Sequence, residues 1–183
     1  MLTHQGSKTL QTSRLVLRKA VAEDAAPMLR NWAGDSTVTT YLTWPPHNDL
    51  RVSEAVVNSW VRDAEKETSY HWMIVLKELG EPIGSIGVTA LDEGVEKAEI
   101  GYCIGKAWWG QGIMSEALKA VMDYLFDEVG MNRVEACHDP RNPASGAVMK
   151  KCGMTYEATL RQFGRNNQGI CDVCIYALLK EAR

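Results

Sequence analysis

The run Trp108-Trp109-Gly110-Gln111-Gly112-Ile113-Met114-Ser115-Glu116-Ala117 holds the residue types that most plainly imply chemistry. Two glycines one residue apart precede a pattern in which Met114, Leu118, Met122 and Phe126 recur every fourth position, flanked by Ala117, Val121 and Leu125. That period belongs to a helix with one buried face. A glycine turn feeding a helix start aims unpaired N–H groups at one spot, where the helix dipole also favours negative charge. The arrangement predicts a phosphate or pyrophosphate site; the alternative is a tight turn that binds nothing. Upstream, Ala98-Glu99-Ile100-Gly101-Tyr102-Cys103-Ile104 reads as a strand, giving the order strand, loop, glycine turn, helix. A dinucleotide fold would need a third glycine where Ser115 stands, and a P-loop would need Gly-Lys-Ser/Thr, so both patterns fail.

The elements that must position this loop follow from periodicity and turn chemistry. Strand 15–19 leads to helix 23–32, where Glu23 and Asp24 suit a helix N-terminus. A short turn or helix at 36–41 precedes Thr43-Trp44-Pro45-Pro46-His47, which its paired prolines keep out of regular helix. Helix 53–67 gathers Val56, Val57, Trp60, Val61 and Ala64 on one face. Strands 71–78, 82–92 and 96–105 are separated by turn signals at Gly80 and at Asp92-Glu93-Gly94. Helix 112–129, strand 133–138, helix 144–152 and strands 154–162 and 170–179 complete the order, with 164–169 as the last loop. The fold class is therefore α+β: a mixed, largely antiparallel central sheet with helices on both faces.

The 183 residues, 45% of them hydrophobic, suit a single domain over 1–183, with room for a flexible segment at about 1–12. No apolar run approaches the roughly twenty residues needed to span a membrane, and residues 1–13 lack a signal-peptide core, so a cytoplasmic location is expected. The net charge of −3 argues against a general nucleic-acid binder. Five scattered cysteines (103, 137, 152, 171 and 174) suit a reducing compartment. Cys171 and Cys174 would face opposite sides of a strand and have no second pair, so no metal site is expected.

Trp109-Gly110-Gln111-Gly112-Ile113-Met114 resembles the coenzyme A pyrophosphate loop, Gln/Arg-x-x-Gly-x-Gly/Ala, of the GCN5-related N-acetyltransferases (GNAT). Trp109 and Met114 depart from that pattern at its two ends. Trp-Gly-x-Gly followed by Glu116-Ala117 is similar to one branch, the ribosomal-protein-alanine N-acetyltransferases. Further matches are Leu10 to Arg18, Pro82-Ile83-Gly84-Ser85-Ile86-Gly87, Glu99-Ile100-Gly101-Tyr102 and Asn142-Pro143-Ala144-Ser145. Lys151-Cys152-Gly153-Met154, and Asp172 with Tyr176-Ala177-Leu178-Leu179-Lys180, extend the likeness almost to the end.

The resemblance implies the GNAT acyl-CoA fold, in which two neighbouring strands splay apart at mid-sheet to admit the cofactor. It implies acetyl-CoA as cosubstrate, with no metal, and a monomer or homodimer. The reaction would be direct attack by a primary amine, a protein N-terminus or a small molecule, in a ternary complex. A non-catalytic acetyl-CoA-binding module on the same fold is the alternative. The backbones of Tyr102, Cys103 and Ile104 would bind pantetheine and the acetyl carbonyl, and the amides of Trp109, Gly110, Gln111, Gly112, Ile113, Met114 and Ser115 the pyrophosphate. Glu99 would act as base on the acceptor, with Ser145 or Tyr102 as proton donor to the departing thiolate. Asn142 and Ser145 would lie at the sulfur end of the cofactor, unless they serve only as helix caps. Lys150 or Lys151 would meet the 3′-phosphate, and Trp44, His47 and Phe163 would wall the acceptor site.

Overall fold

A computed structural model describes residues 2–182. Its strands are β1 (Leu10–Gln11), β2 (Leu15–Arg18), β3 (His71–Leu76), β4 (Glu81–Asp92), β5 (Lys97–Ile104), β6 (Arg133–His138), β7 (Thr155–Asn166) and β8 (Gly169–Leu179). They form one sheet in the order β1-β2-β3-β4-β5-β6-β8-β7, with every neighbouring pair antiparallel except β5 and β6. The helices are α1 (Ala25–Met28), α2 (Ser36–Thr39), α3 (Leu50–Asp63), α4 (Ile113–Tyr124) and α5 (Pro143–Lys151). Wide π turns at Leu29–Ala33 and Leu125–Val129 prolong α1 and α4. The expected α+β architecture is what the structure shows.

Strand alternation assigns the helices to two faces. Ala98, Ile100 and Ile104 of β5 join a core with Met114, Leu118, Val121 and Met122 of α4 and Met149 of α5. On the opposite face Cys103 packs against Met28, Trp32, Val57 and Met73, which come from the α1–α3 side and from β3. Each fully buried Leu, Ile or Met side chain in these layers contributes about 1.5–3 kcal/mol relative to exposure, so both helical layers are held by burial.

Several boundaries differ from the sequence reading. α3 begins at Leu50 because the Asp49 carboxylate accepts the Arg51 N–H at 2.9 Å, an N-cap just ahead of the expected start. It ends at Asp63, earlier than expected. Residues 164–169 are a hairpin tip, since strand pairing continues to Asn166 opposite Gly169. Residues 2–12 lie along the body: the Gly6 N–H donates to the Glu67 carbonyl at 2.7 Å, and the Trp72 indole donates to the Lys8 carbonyl at 2.6 Å. The segment expected to be flexible is thus hydrogen-bonded to the sheet and to the end of the α3 region.

Candidate active site

β5 and β6 pair only from Lys97 opposite Arg133 to Ile100 opposite Ala136, while β4 stays beside β5 as far as Ile104. Beyond Ile100 one edge of β5 therefore faces an opening. Arg133 donates to the Glu96 carbonyl, so even-numbered residues direct their backbone groups toward β6. Tyr102 and Ile104 point the same way, past where β6 has turned aside. Gly105 donates to Ile83, placing the backbone of Cys103 toward β4 instead. Of the three residues expected to hold the cofactor, Tyr102 and Ile104 turn backbone groups to the opening and Cys103 does not. Unpaired strand groups at such an edge need a partner, and a ligand carrying amides supplies one in the manner of an added strand.

The glycine turn follows directly. Gly110 and Gly112 have φ of 72° and 73°, the left-handed region that glycine enters without strain. The first bond of α4 runs from the Glu116 N–H to the Gly112 carbonyl, leaving Ile113, Met114 and Ser115 N–H groups free of intrahelical partners. Trp109 plays a different part from the one expected. Its N–H donates to Lys106, and its indole donates to the Ile104 carbonyl at 2.9 Å, tying the loop to the end of β5.

Two cations converge here. A side chain at Gly112 would meet Lys151 Nζ at 3.4 Å and Arg14 Nη2 at 3.8 Å. Lys150 turns away, its ammonium lying 5.9 Å from the centre of the Tyr176 ring, so Lys151 is the lysine at the loop. Arg14 is a site residue that the motifs do not signal. It donates to the Gln111 carbonyl at 2.9 Å and to Glu116 at 2.7 Å. Glu116 also accepts from Thr12, Ser13 and the Arg14 N–H. Burial opposes its charge, but these hydrogen bonds prevail and hold its pKa at about 2.

At the opening, Glu99 and Tyr102 stand three residues apart on one strand and so project to opposite faces. Tyr102 reaches α5: its hydroxyl donates to the Ser145 carbonyl and lies 3.0 Å from Ser145 Oγ. Burial pushes the phenol well above its usual range, against the opposing pull of the Ser145 hydrogen bond. Asn142 precedes α5 but makes no side-chain cap, so its amide remains available toward the cavity it lines. Glu99, on the other face, accepts from the Thr89 hydroxyl at 3.4 Å and from the Cys137 thiol at 3.7 Å. Burial, then the Glu99 charge, pushes the Cys137 thiol up to about 12.

A cavity of about 610 Å³ joins these groups. Glu99, Gly101, Tyr102, Cys103, Asn142 and Ser145 line it, together with Trp44. Two expected wall residues do not. His47 is buried, bonded through Nδ1 to Ser53 Oγ at 2.8 Å, with its ring 5.3 Å from that of Trp44; it supports the wall from behind. Phe163 is 70% exposed, because the bulge between Leu160 and Gly164 turns it outward. Their places are taken by Trp60, His71, Gly164 and Asn166. The opposing walls are joined at Asn167, whose side chain donates to the Thr39 and Trp44 carbonyls at 2.8 Å and whose N–H donates to Leu42. No spacing rule in the sequence brings that hairpin tip to a loop more than 120 residues away.

Comparison with known proteins accords with this geometry. Residues 14–155 match the acetyltransferase (GNAT) domain family. The chain is 33% identical over 174 residues to p20 of Bacillus licheniformis, described as an uncharacterized N-acetyltransferase, covering 94% of this chain and 97% of p20. It is 28% identical over 117 residues to the ribosomal-protein-serine acetyltransferase of Escherichia coli, covering 64% and 65% of the two chains. Among solved structures, RimL, the ribosomal L7/L12 alpha-N-protein acetyltransferase in complex with coenzyme A, superposes with a TM-score of 0.85 at 22% identity, over 96% of this chain and 100% of that one. No helix of the described residues is long and apolar enough to cross a membrane. The chain belongs to the GNAT N-acetyltransferases and has relatives among the ribosomal-protein acetyltransferases.

Proposed function

We propose that this N-acetyltransferase uses acetyl-CoA and transfers the acetyl group by direct attack of a primary amine in a ternary complex. The observation that carries this reading is the placement of Glu99 and Tyr102 on opposite faces of β5, beside the strand opening. The thioester supplies an activated acetyl carbon. This chain must hold it, take a proton from the amine and return one to sulfur.

Alkyl amines are largely ammonium near neutral pH, so the acceptor needs a base on its own side. Glu99 takes that proton, directly or through one water, and stabilises the cation before attack. The amine nitrogen bonds to the acetyl carbon and the carbon–sulfur bond breaks. Tyr102 or Ser145, 3.0 Å apart, gives its O–H proton to the departing thiolate, and the second proton shed by the amine nitrogen as the amide forms, relayed through solvent, restores that hydroxyl. The backbone groups of Tyr102 and the Ile104 N–H hold the pantetheine arm and the carbonyl, while Asn142 donates to the arm from the residue before α5. Gly110, Gln111, Gly112, Ile113, Met114 and Ser115 present N–H groups to the pyrophosphate, with Lys151 and Arg14 adding charge.

A covalent route through cysteine is disfavoured by the site itself. Cys137 and Cys103 both have thiols raised by burial, so neither offers a thiolate. The five unpaired cysteines support a reducing, cytoplasmic location. Calorimetric titration with acetyl-CoA, with NADH as control, tests the cofactor, and thiol release on addition of amines tests the transfer. Saturable acetyl-CoA binding with no transfer to any amine would favour a non-catalytic binding module.

A further inference from the structure

The acceptor half of the cavity carries an unusual balance of charge and shape. Its lining includes two carboxylates, Glu99 and Asp139. Arg141 grips Asp139 at 2.6 Å and Asn166 donates to it at 2.8 Å, so its charge is already answered. The acids farther along the same sheet are also occupied, Glu135 by Lys97 and Arg133, and Glu157 by Arg133. Glu99 has only a hydroxyl and a thiol beside it, and among the described residues it makes no ion pair. Arg165, itself a cation, also lines the cavity and opposes a second positive charge, so one cation is wanted here, and one only.

The floor around Glu99 is low. Gly87 of β4 and Gly101 of β5 are directly opposed in register, and both line the cavity. A Cβ on Gly101 would come within 2.7 Å of the Thr89 methyl, and one on Gly87 within 2.7 Å of the Tyr70 carbonyl. The missing side chains make room for these neighbours, and for the His71 ring 2.9 Å from the Gly87 position, so the floor here is backbone capped by a methyl and a flat ring. The walls above this strip are aromatic: Trp44 and Tyr41 from the loop after α2, and Trp60, whose ring lies 4.0 Å from that of His71. Burial lowers the His71 pKa to about 4, so this end of the cavity is uncharged at neutral pH. The clasp at Asn167 ties the two walls together on the hairpin side, which favours a compact ligand over a continuing polypeptide.

We infer that the acceptor is a small primary monoamine on a flat, largely apolar body of about one or two rings, a choice of acceptor that rests on the acetyl-transfer reading above. The ammonium pairs with Glu99, the body lies on the Gly87–Gly101 strip, and the indoles cover it. A polyamine or an aminoglycoside would bring further charges to a cavity whose other acids are taken.

The test measures binding and transfer separately. Calorimetry on the full chain saturated with coenzyme A compares 2-phenylethylamine, spermidine and an alanine-ended hexapeptide. The expected result is saturable binding of 2-phenylethylamine, with spermidine and the peptide at least about tenfold weaker. Trp44→Ala should abolish the preference, and Trp44→Phe should restore most of it. Equal or tighter binding of spermidine or the peptide, or no binding of 2-phenylethylamine, would overturn the proposal. Acetylation with acetyl-CoA then separates the two readings. Selective binding without acetyl transfer would sink the enzymatic reading and leave the ligand class standing; efficient transfer to spermidine would do the reverse.

Discussion

Glu99 and Asp139 border the same cavity, and their partners separate their roles. Asp139 is held well below the ordinary carboxylate range, first by its hydrogen bonds from Arg141, so it remains an anion committed to structure. Glu99 has no such commitment. Glu99→Gln should therefore lower kcat/KM about 10²–10⁴-fold, the span of general-base catalysis, while the acetyl-CoA Kd stays unchanged. The loss should be largest at low pH, where more of the acceptor is ammonium, and a pH–rate profile of both proteins measures it. Tyr102 makes a contrasting prediction. With its phenol raised by burial, it stays protonated across the working range. No alkaline fall in activity below about pH 10 should belong to it. Tyr102→Phe should lower the rate without altering the shape of the alkaline side.

At the scale of elements, the loop before α4 and the turn before β2 act as one piece through Glu116. Its folded pKa of about 2 lies below its ordinary 4.5. The unfolded chain thus takes up the proton first as pH falls. The stabilisation is complete above about pH 4.5, on the order of 2–3 kcal/mol, and is lost as pH drops toward 2. Glu116→Gln should lower the urea midpoint at pH 7 and flatten its fall between those limits. Gly112→Glu acts on the same piece differently. The new carboxylate would sit against Lys151 and Arg14, taking the place of a ligand anion. Acetyl-CoA binding should weaken more than a hundredfold, and the positive φ at Gly112 should cost about 1–2 kcal/mol of stability, read as a lower melting temperature.

Much of this architecture is legible in the chain because strands and helices announce themselves by period. The ends of β6 coincide with those its residue pattern predicts, and the glycine turn with its helix stands where the spacing puts it. The side chains around the loop are harder. Lys150 and Lys151 differ by one position on a helix, about 100° of rotation, and only packing against Tyr176 decides which reaches Gly112. Arg14 reads as an ordinary arginine at the start of a strand, since its meaning depends on Gln111 and Glu116, about a hundred residues away. The hairpin tip reads as a loop because Gly164-Arg165-Asn166-Asn167-Gln168-Gly169 is all turn chemistry. Its cross-strand bonds are made by backbone and leave no trace in composition.

For the whole molecule, Asn167 matters out of proportion to its size. One amide joins the last hairpin to the end of α2 and the loop that follows it, closing a ring of chain around the acceptor half of the cavity. Asn167→Ala should raise the acceptor KM several-fold with the acetyl-CoA Kd unchanged, and Asn167→Asp, which keeps the shape but loses the donors, should behave like alanine. Steady-state kinetics with each substrate varied in turn separates these effects.

The opposed faces of β5 have a consequence for traffic. In the proposed reaction acceptor and thiol meet through a gap in the sheet, each with its own side of the molecule behind it. On that reading the acetylated product would leave on the side of α3 and the aromatic loop, and the spent thiol on the side of α4 and α5. Such a reaction would need no fixed order of release. A sheet that elsewhere works as a wall becomes, at this one interrupted seam, a counter with a customer on each side.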